Sequence, residues 1–102
     1  MIVMDTRLIG ALNDTKAGAD SVRFRHRAAA AAAFDDARTR IHELLNEGTK
    51  AAVPVDVRAD LDADLGRYEE ALKLLELGQF AAAGYVAKVI IGDLVMVTER
   101  WK

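Results

Sequence analysis

The sequence predicts an all-α fold, a small antiparallel helical bundle in which a short N-terminal helix precedes three long ones. Two long stretches carry apolar residues at alternating spacings of four and three, the repeat of helices packed side by side. A third stretch, near the C-terminus, is apolar over most of a helical circumference. A chain of 102 residues has room for one modest core, so we expect residues 1–102 to form a single helical domain.

The short helix is predicted over residues 2–12, where Leu8 and Leu12 recur at helical spacing. Asn13-Asp14-Thr15 and Gly18 then interrupt the pattern with residues that disfavour a helix interior. We therefore expect this helix to end before residue 13.

The first long helix is predicted over about residues 20–47. Asp20 and Ser21 are suited to its N-cap, and Gly48 to its stop. Six consecutive alanines, residues 28–33, add strong helix propensity. Its apolar seam consists of Ala30, Phe34, Ala37, Ile41 and Leu44.

The second long helix is predicted over residues 56–77, after Pro54, with Asp56 as its N-cap. Its seam consists of Leu61, Leu65, Tyr68, Leu72 and Leu75, with Ala71 and Leu74 beside it. Because the two seams share one period, we expect the two long helices to pack along each other. Residues 21–40 carry five Arg and two Asp, a net charge of +3, whereas residues 56–76 carry −4, so these two helices can attract each other within a chain or across a dimer.

The last helix is predicted over residues 79–101, after a tight reversal at Gly78. One side faces the core: Phe80, Ala83, Ala87, Ile90, Ile91, Leu94, Thr98 and Trp101. A second apolar flank consists of Tyr85, Val86, Val89, Met96 and Val97. A helix that is apolar on two sides has to be covered on both, so this flank is the predicted interface with a second copy or another protein.

An alternative fold replaces part of this helix with strands. The β-branched residues on either side of Gly92-Asp93 would suit a β-hairpin with a two-residue turn. In that case the fold would be α+β rather than all-α.

The nearest sequence signal for nucleic acid is the basic cluster Arg23, Arg25 and Arg27. On a continuous helix Arg25 would point away from the other two, so the three would not form one stripe. The net charge of −2 also disfavours general phosphate binding. A nucleic-acid-associated regulator is therefore the alternative function rather than the first.

No motif points to catalysis, a cofactor or a metal, and we expect none of the three. Cysteine is absent, which excludes thiolate chemistry and cysteine-ligated metals within this chain. The acidic row Asp56, Asp60 and Asp64 is better explained by the helix dipole than by a metal, and His26 and His42 by structural roles. A small helical-bundle enzyme with dispersed Arg and Glu groups is a further alternative.

One local passage resembles a known repeat. Leu65–Leu72 is similar to the helix-turn passage of a tetratricopeptide repeat, and Gly78-Gln79-Phe80 resembles another helical hairpin of that kind. The resemblance implies antiparallel helix packing and no particular function.

We expect a non-catalytic adaptor or regulatory protein that acts as a homo-oligomer through protein–protein contacts. The N-terminus lacks the apolar run of a secretory signal, and Lys88, Gly92 and Asp93 interrupt the most apolar segment, so we expect a cytoplasmic protein with no membrane contact. Abundant alanine, and nine Arg against five Lys, favour a bacterial or phage source.

Overall fold

The computed structural model describes residues 6–46 and 53–101, which form four α-helices and no strand. Helix α1 spans Thr6–Arg23, α2 Arg27–Asn46, α3 Val55–Glu76 and α4 Phe80–Arg100. Successive helices pack against each other and α4 packs against α1, which gives a four-helix bundle measuring 42 × 19 × 18 Å. The all-α prediction is confirmed.

Each helix buries a seam of residues spaced alternately three and four apart. This repeat keeps one narrow stripe of every helix facing the bundle axis. The buried seams are Leu8, Ala11, Thr15, Gly18 and Val22 in α1; Ala30, Phe34, Ala37, Ile41 and Leu44 in α2; Val57, Leu61, Asp64, Tyr68, Ala71 and Leu75 in α3; and Ala83, Ala87, Ile90, Leu94 and Val97 in α4. The predicted seam of α2 is confirmed residue by residue.

The prediction of a short N-terminal helix is wrong. Helix α1 is 18 residues long and runs through both Asn13-Asp14-Thr15 and Gly18, which were expected to end it. The Thr15 hydroxyl donates to the carbonyl of Ala11 (2.6 Å), which satisfies it inside the helix. At Gly18 a Cβ atom would lie 2.5 Å from Cε1 of Phe34. Gly18 therefore permits close packing of α1 on α2 rather than marking a break.

The predicted start of the second helix at residue 20 is also wrong, since Asp20 and Ser21 lie in the last turn of α1. The chain reverses over residues 24–26 through a Schellman motif. In this motif the His26 N–H donates to the carbonyl of Ser21 (2.8 Å) and the Arg25 N–H to that of Val22 (3.0 Å). Arg25 takes the left-handed conformation (φ 58°) where glycine is usual, so the turn carried no sequence signal. Gly48, the predicted stop, lies outside the described residues.

The predicted reversal at Gly78 is confirmed. Gly78 has φ 73°, and the N–H groups of Gly78 and Gln79 donate to the carbonyls of Leu75 and Leu74. This is the same motif as the first turn, here with the expected glycine. At the other end, α3 begins at Val55 directly after Pro54, and Asp56 is in the first turn rather than at the N-cap.

The seam of α3 differs from the predicted one at alternate positions. Leu61, Tyr68 and Leu75 are buried as expected, but Val57, Asp64 and Ala71 complete the seam. Leu65 and Leu72 are half-buried beside it. An aspartate at a core position cannot be anticipated from hydropathy. The passage that resembles a tetratricopeptide turn lies in the middle of α3 and contains no turn.

The β-hairpin alternative is wrong, since Gly92 and Asp93 lie within the continuous helix α4. Ala83, Ala87, Ile90 and Leu94 face the core as predicted. Val97 joins them, although its predicted place was on the interface flank. The core-facing side was predicted for a straight helix, which turns 100° per residue. A seam in a supercoiled bundle repeats every 3.5 residues instead, so after four turns it has shifted enough to include Val97 rather than Thr98.

Candidate functional site

Helix α4 carries a second stripe of residues, on its outer surface. We call this stripe the outer strip; its members, all exposed, are Ala81, Tyr85, Lys88, Val89, Gly92, Val95, Met96 and Glu99. Tyr85 is 70% exposed, Met96 59%, and Val89 and Val95 37% each. Six of its members, 81, 85, 88, 92, 95 and 99, repeat the four-three spacing of the buried seams. The outer strip therefore has the period of a helix-packing surface.

The exposed surface of α3 has a different character. Its exposed positions include Asp62, Glu69, Glu70, Lys73 and Glu76. The outer strip holds only two charged side chains, Lys88 and Glu99. Exposed apolar side chains that cluster on one helix often mark a surface that binds another molecule. Single exposed apolar side chains scattered over a protein do not.

The structure brings most of the sequence-predicted interface residues together. Tyr85, Val89 and Met96 lie on the outer strip, and Val86 is half-buried at its edge. Val97 is fully buried in the chain's own core and does not reach this surface. Val95 and Gly92 also belong to the strip, although neither was predicted as an interface residue.

By length and composition alone, α4 is apolar enough to cross a membrane. Lys88, Gly92 and Asp93 interrupt this helix, but its mean hydropathy still reaches that of a membrane-spanning segment. Apolar helices of soluble bundles share this property, and α4 packs against both α1 and α3.

A basic groove of about 520 Å³ lies at the end of the bundle where α1 meets α4. Val22, Ala81 and Gly84 form its apolar part, and Arg23, Arg25 and Lys88 supply positive charge. Arg23 pairs with Asp20 at 3.7 Å, with both side chains well exposed. The groove thus combines an apolar floor with three cationic side chains.

The arginine cluster is arranged differently from the expectation for a continuous helix. Residues 24–26 form the turn between α1 and α2, and the guanidinium groups of Arg25 and Arg27 both lie over the Phe80 ring, 5.6 and 5.9 Å from its centroid. Such cation–π contacts hold the turn against the start of α4. Phe24 at the tip of this turn is 69% exposed. The prediction that Arg25 points away from Arg27 is therefore wrong.

A hollow of about 360 Å³ lies between α2 and α3 and contains His42, Glu43 and Glu69. Arg38 at its edge is paired with Asp35 and lies 4.0 Å from Glu69. Exposed pairs of this kind contribute about 0–1 kcal/mol each. Arg38–Glu69 is an ion pair between α2 and α3, but Arg40 of α2 pairs with Asp14 of α1, and Asp56 and Asp60 of α3 pair with Arg100 of α4.

A buried polar cluster crosses the bundle, and sequence reasoning missed it. The Tyr68 hydroxyl is 2.7 Å from the Thr15 hydroxyl. Since Thr15 already donates to a backbone carbonyl, Tyr68 is the donor of this bond. One turn away on α3, Asp64 is fully buried and accepts from Nη1 of Arg67 at 2.6 Å.

Asp64 lies beside Asp93 of α4. One oxygen of each carboxyl group, Oδ2, is buried without a hydrogen-bond partner. Burial and the neighbouring carboxyl raise the pKa of Asp64 from its ordinary 3.8 to about 8. Nη1 of Arg67 lies 2.6 Å from Asp64 and 4.0 Å from Oδ2 of Asp93, and its charge lowers the pKa of Asp64. Burial outweighs this effect, so Asp64 holds a proton at neutral pH. Asp64 lines neither groove, so the cluster ties α3 to α4 rather than facing a ligand.

The fold divides the acidic row Asp56, Asp60 and Asp64. Asp56 and Asp60 form ion pairs with Arg100 of α4, while Asp64 turns inward. Within residues 6–46 and 53–101, no group of three or more His, Asp or Glu side chains is placed to hold a metal ion. His26 and His42 are both exposed.

Comparison of the chain with protein-family models, with curated proteins and with solved structures gave no match. The function has to be inferred from the residues and their arrangement.

Proposed function

We propose that this protein is a non-catalytic interaction or adaptor protein that acts as a homo-oligomer and associates through the outer strip of α4. The observation that carries the proposal is the second seam on this one helix. Tyr85 and Val95 lie on the four-three repeat that the buried seams use, Val89 and Met96 lie beside it, and all four side chains stay exposed. Each large apolar side chain contributes roughly 1.5–3 kcal/mol when it moves from water to a fully buried site.

The test is the mass of the protein in solution, measured by sedimentation at micromolar concentration. We expect the wild-type chain to be oligomeric and the variant Tyr85→Ser with Met96→Ser to be monomeric, with unchanged helical circular dichroism. Because both side chains are mostly exposed, their truncation should leave the monomer folded.

The matched control is Ile9→Ser with Leu77→Ser, which removes two exposed apolar side chains elsewhere on the surface. We expect this control to remain oligomeric. A wild-type protein that is monomeric at every concentration would contradict the proposal. Association with lipid vesicles in place of self-association would contradict it too, and would assign the apolar strip to a membrane.

A second candidate function, contact with single-stranded nucleic acid, is favoured by one observation. The basic groove joins Arg23 and Arg25 to Lys88, and the exposed Phe24 ring nearby is available to stack on a base. The test is binding of a fluorescent mixed-sequence oligonucleotide as salt is raised. A log–log salt slope of about −2, abolished by replacing Arg23, Arg25 and Arg27 with Ala but not by the exposed α3 change Lys73→Ala, would support it. A flat response would remove it.

A further inference from the structure

The charged residues of the outer strip are placed as if for a second copy of the same helix. Lys88 and Glu99 are both exposed, and neither forms an ion pair within residues 6–46 and 53–101. Eleven residues separate them, about 16 Å along the helix axis, so they cannot pair with each other in one chain. Two unpaired opposite charges flank an apolar surface.

The positions between them are spaced symmetrically. Lys88, Gly92, Val95 and Glu99 follow one another at spacings of four, three and four, a pattern that reads the same in both directions. Two such helices can lie antiparallel, with their two-fold axis between positions 93 and 94. Each residue of one copy then faces the residue of the other copy whose number, added to its own, gives 187. Lys88 then meets Glu99 of the second copy, and Gly92 meets its Val95.

We infer that two copies of this chain associate through antiparallel α4 helices in this register, with Lys88 of each copy paired to Glu99 of the other and Val95 packed over Gly92. This inference rests on the proposed self-association and adds its orientation and contacts. The parallel arrangement would bring Lys88 against Lys88 and Glu99 against Glu99, and like charges oppose such a pairing. Antiparallel packing also sets the two helix dipoles in opposite directions.

Gly92 supports this register, although it is not the basis for it. It lies within α4, where glycine is less favourable than alanine by about 1 kcal/mol. A Cβ atom there would meet nothing within 4 Å in the chain's own structure. In the antiparallel pair, the missing side chain makes room for Val95 of the second copy, so the two helices can approach closely.

The experiment is a charge reversal followed by sedimentation. Lys88→Glu and Glu99→Lys alone each place like charges opposite one another twice per dimer, and we expect each to raise the dissociation constant about tenfold or more. The double variant restores both pairs with their signs exchanged, and its dissociation constant should return to within about threefold of the wild type. Lys73→Glu, an exposed charge reversal on α3, is the matched control and should change the dissociation constant little.

A second pair of variants tests the contact at Gly92. Gly92→Gln places a long side chain where the helices approach, and it should weaken association strongly. Gly66→Gln is its matched control, because Gly66 is an exposed helical glycine on α3 that also has open space around it. The control should associate as the wild type does.

The outcomes separate the two proposals. A dimer that the single reversals weaken and the double variant restores supports the antiparallel register. A wild-type dimer that the double variant does not restore, or that the single reversals leave unchanged, overturns the register and leaves self-association standing. A wild-type monomer overturns both.

Discussion

Asp64 occupies a position in α3 where the repeat of the bundle places apolar side chains. Its carboxyl group is buried beside Asp93, and Arg67 donates to only one of its oxygens. The folded chain therefore holds a proton on this group more tightly than the unfolded chain does, because burial raises its pKa from 3.8 to about 8. The cluster makes the stability of the bundle depend on pH.

The first prediction is that stability falls as pH rises between about 4 and 8. The contribution of this group is fully present below the unfolded pKa of 3.8 and is lost as pH approaches the folded value. One proton gives a slope of at most about 1.4 kcal/mol per pH unit. Asp64→Asn should flatten this slope and raise the stability at pH 7, as measured by urea unfolding at pH 5, 6, 7 and 8.

The control for this prediction is Asp62→Asn, an exposed acid on the same helix. It should keep the wild-type pH dependence. A stability of Asp64→Asn that keeps the wild-type pH dependence would contradict the account in which the folded chain holds a proton on Asp64.

The second prediction concerns the left-handed residues of the two turns. Arg25 has φ 58° and Gly78 φ 73° at equivalent positions of two Schellman motifs. A side chain in this conformation costs about 1 kcal/mol relative to glycine. We therefore expect Arg25→Gly to be more stable than Arg25→Ala by about 1 kcal/mol, and Gly78→Ala to be less stable than the wild type by a similar amount.

The Ala variant at position 25 is the matched comparison, because both substitutions remove the contact between the Arg25 guanidinium and the Phe80 ring. The measurement is the free energy of unfolding in urea. Equal stability of the two variants at position 25 would contradict the assigned turn conformation.

At the scale of elements, the packing of α1 on α2 depends on one small residue. Gly18 faces the ring of Phe34, which is fully buried. A larger side chain at position 18 would keep α1 from packing this closely against the ring. Helix propensity favours alanine at this site, and packing opposes it. Packing decides, because a buried aromatic ring in a close-packed core has no room to move aside.

The third prediction is that Gly18→Ala destabilises the protein by about 1–3 kcal/mol. Gly66→Ala, at an exposed helical glycine with open space around it, should stabilise the protein by about 1 kcal/mol. Thermal or urea unfolding of the two variants checks both signs together. If Gly18→Ala were as stable as Gly66→Ala, the close approach of α1 and α2 would be contradicted.

At the scale of the whole molecule, the four helices of residues 6–46 and 53–101 cover one another around a single axis and leave the outer strip of α4 uncovered. The described part of the chain packs α4 against α1 and α3. The outer strip remains exposed, and its N-terminal members Ala81, Tyr85 and Lys88 also line the groove beside α1. Self-association would link folding to concentration, because a dimer unfolds to two separate chains.

The fourth prediction is that the thermal unfolding midpoint rises with protein concentration, by roughly 3 °C for a tenfold increase in a dimer of this size. Tyr85→Ser with Met96→Ser should remove this dependence. Scanning calorimetry from about 5 to 500 μM is the measurement. A midpoint that is independent of concentration in the wild type would contradict self-association.

The periodicity of the sequence predicted much of this architecture and failed where polar or small residues took core positions. The seam of α2 was correct because all its members are apolar. Thr15 and Gly18 are typical of a helix break, although a hydroxyl bonded to its own helix and a glycine packed against an aromatic ring are both compatible with a helix interior. The sequence places Asp64 in an acidic row that the helix dipole explains, and it gives no sign of burial because the neighbour on α4, Asp93, is 29 residues further along the chain.

By itself, the sequence determined that the chain is helical and that its last helix is apolar on two sides, because local propensity and periodicity are properties of neighbouring residues. Only the tertiary structure decided that α1 runs on to Arg23, that Asp64 meets Asp93, and that Val97 is buried while Val95 is exposed. These depend on which helices meet and in which register. Contacts between distant residues set both, and the spacing within a single helix does not.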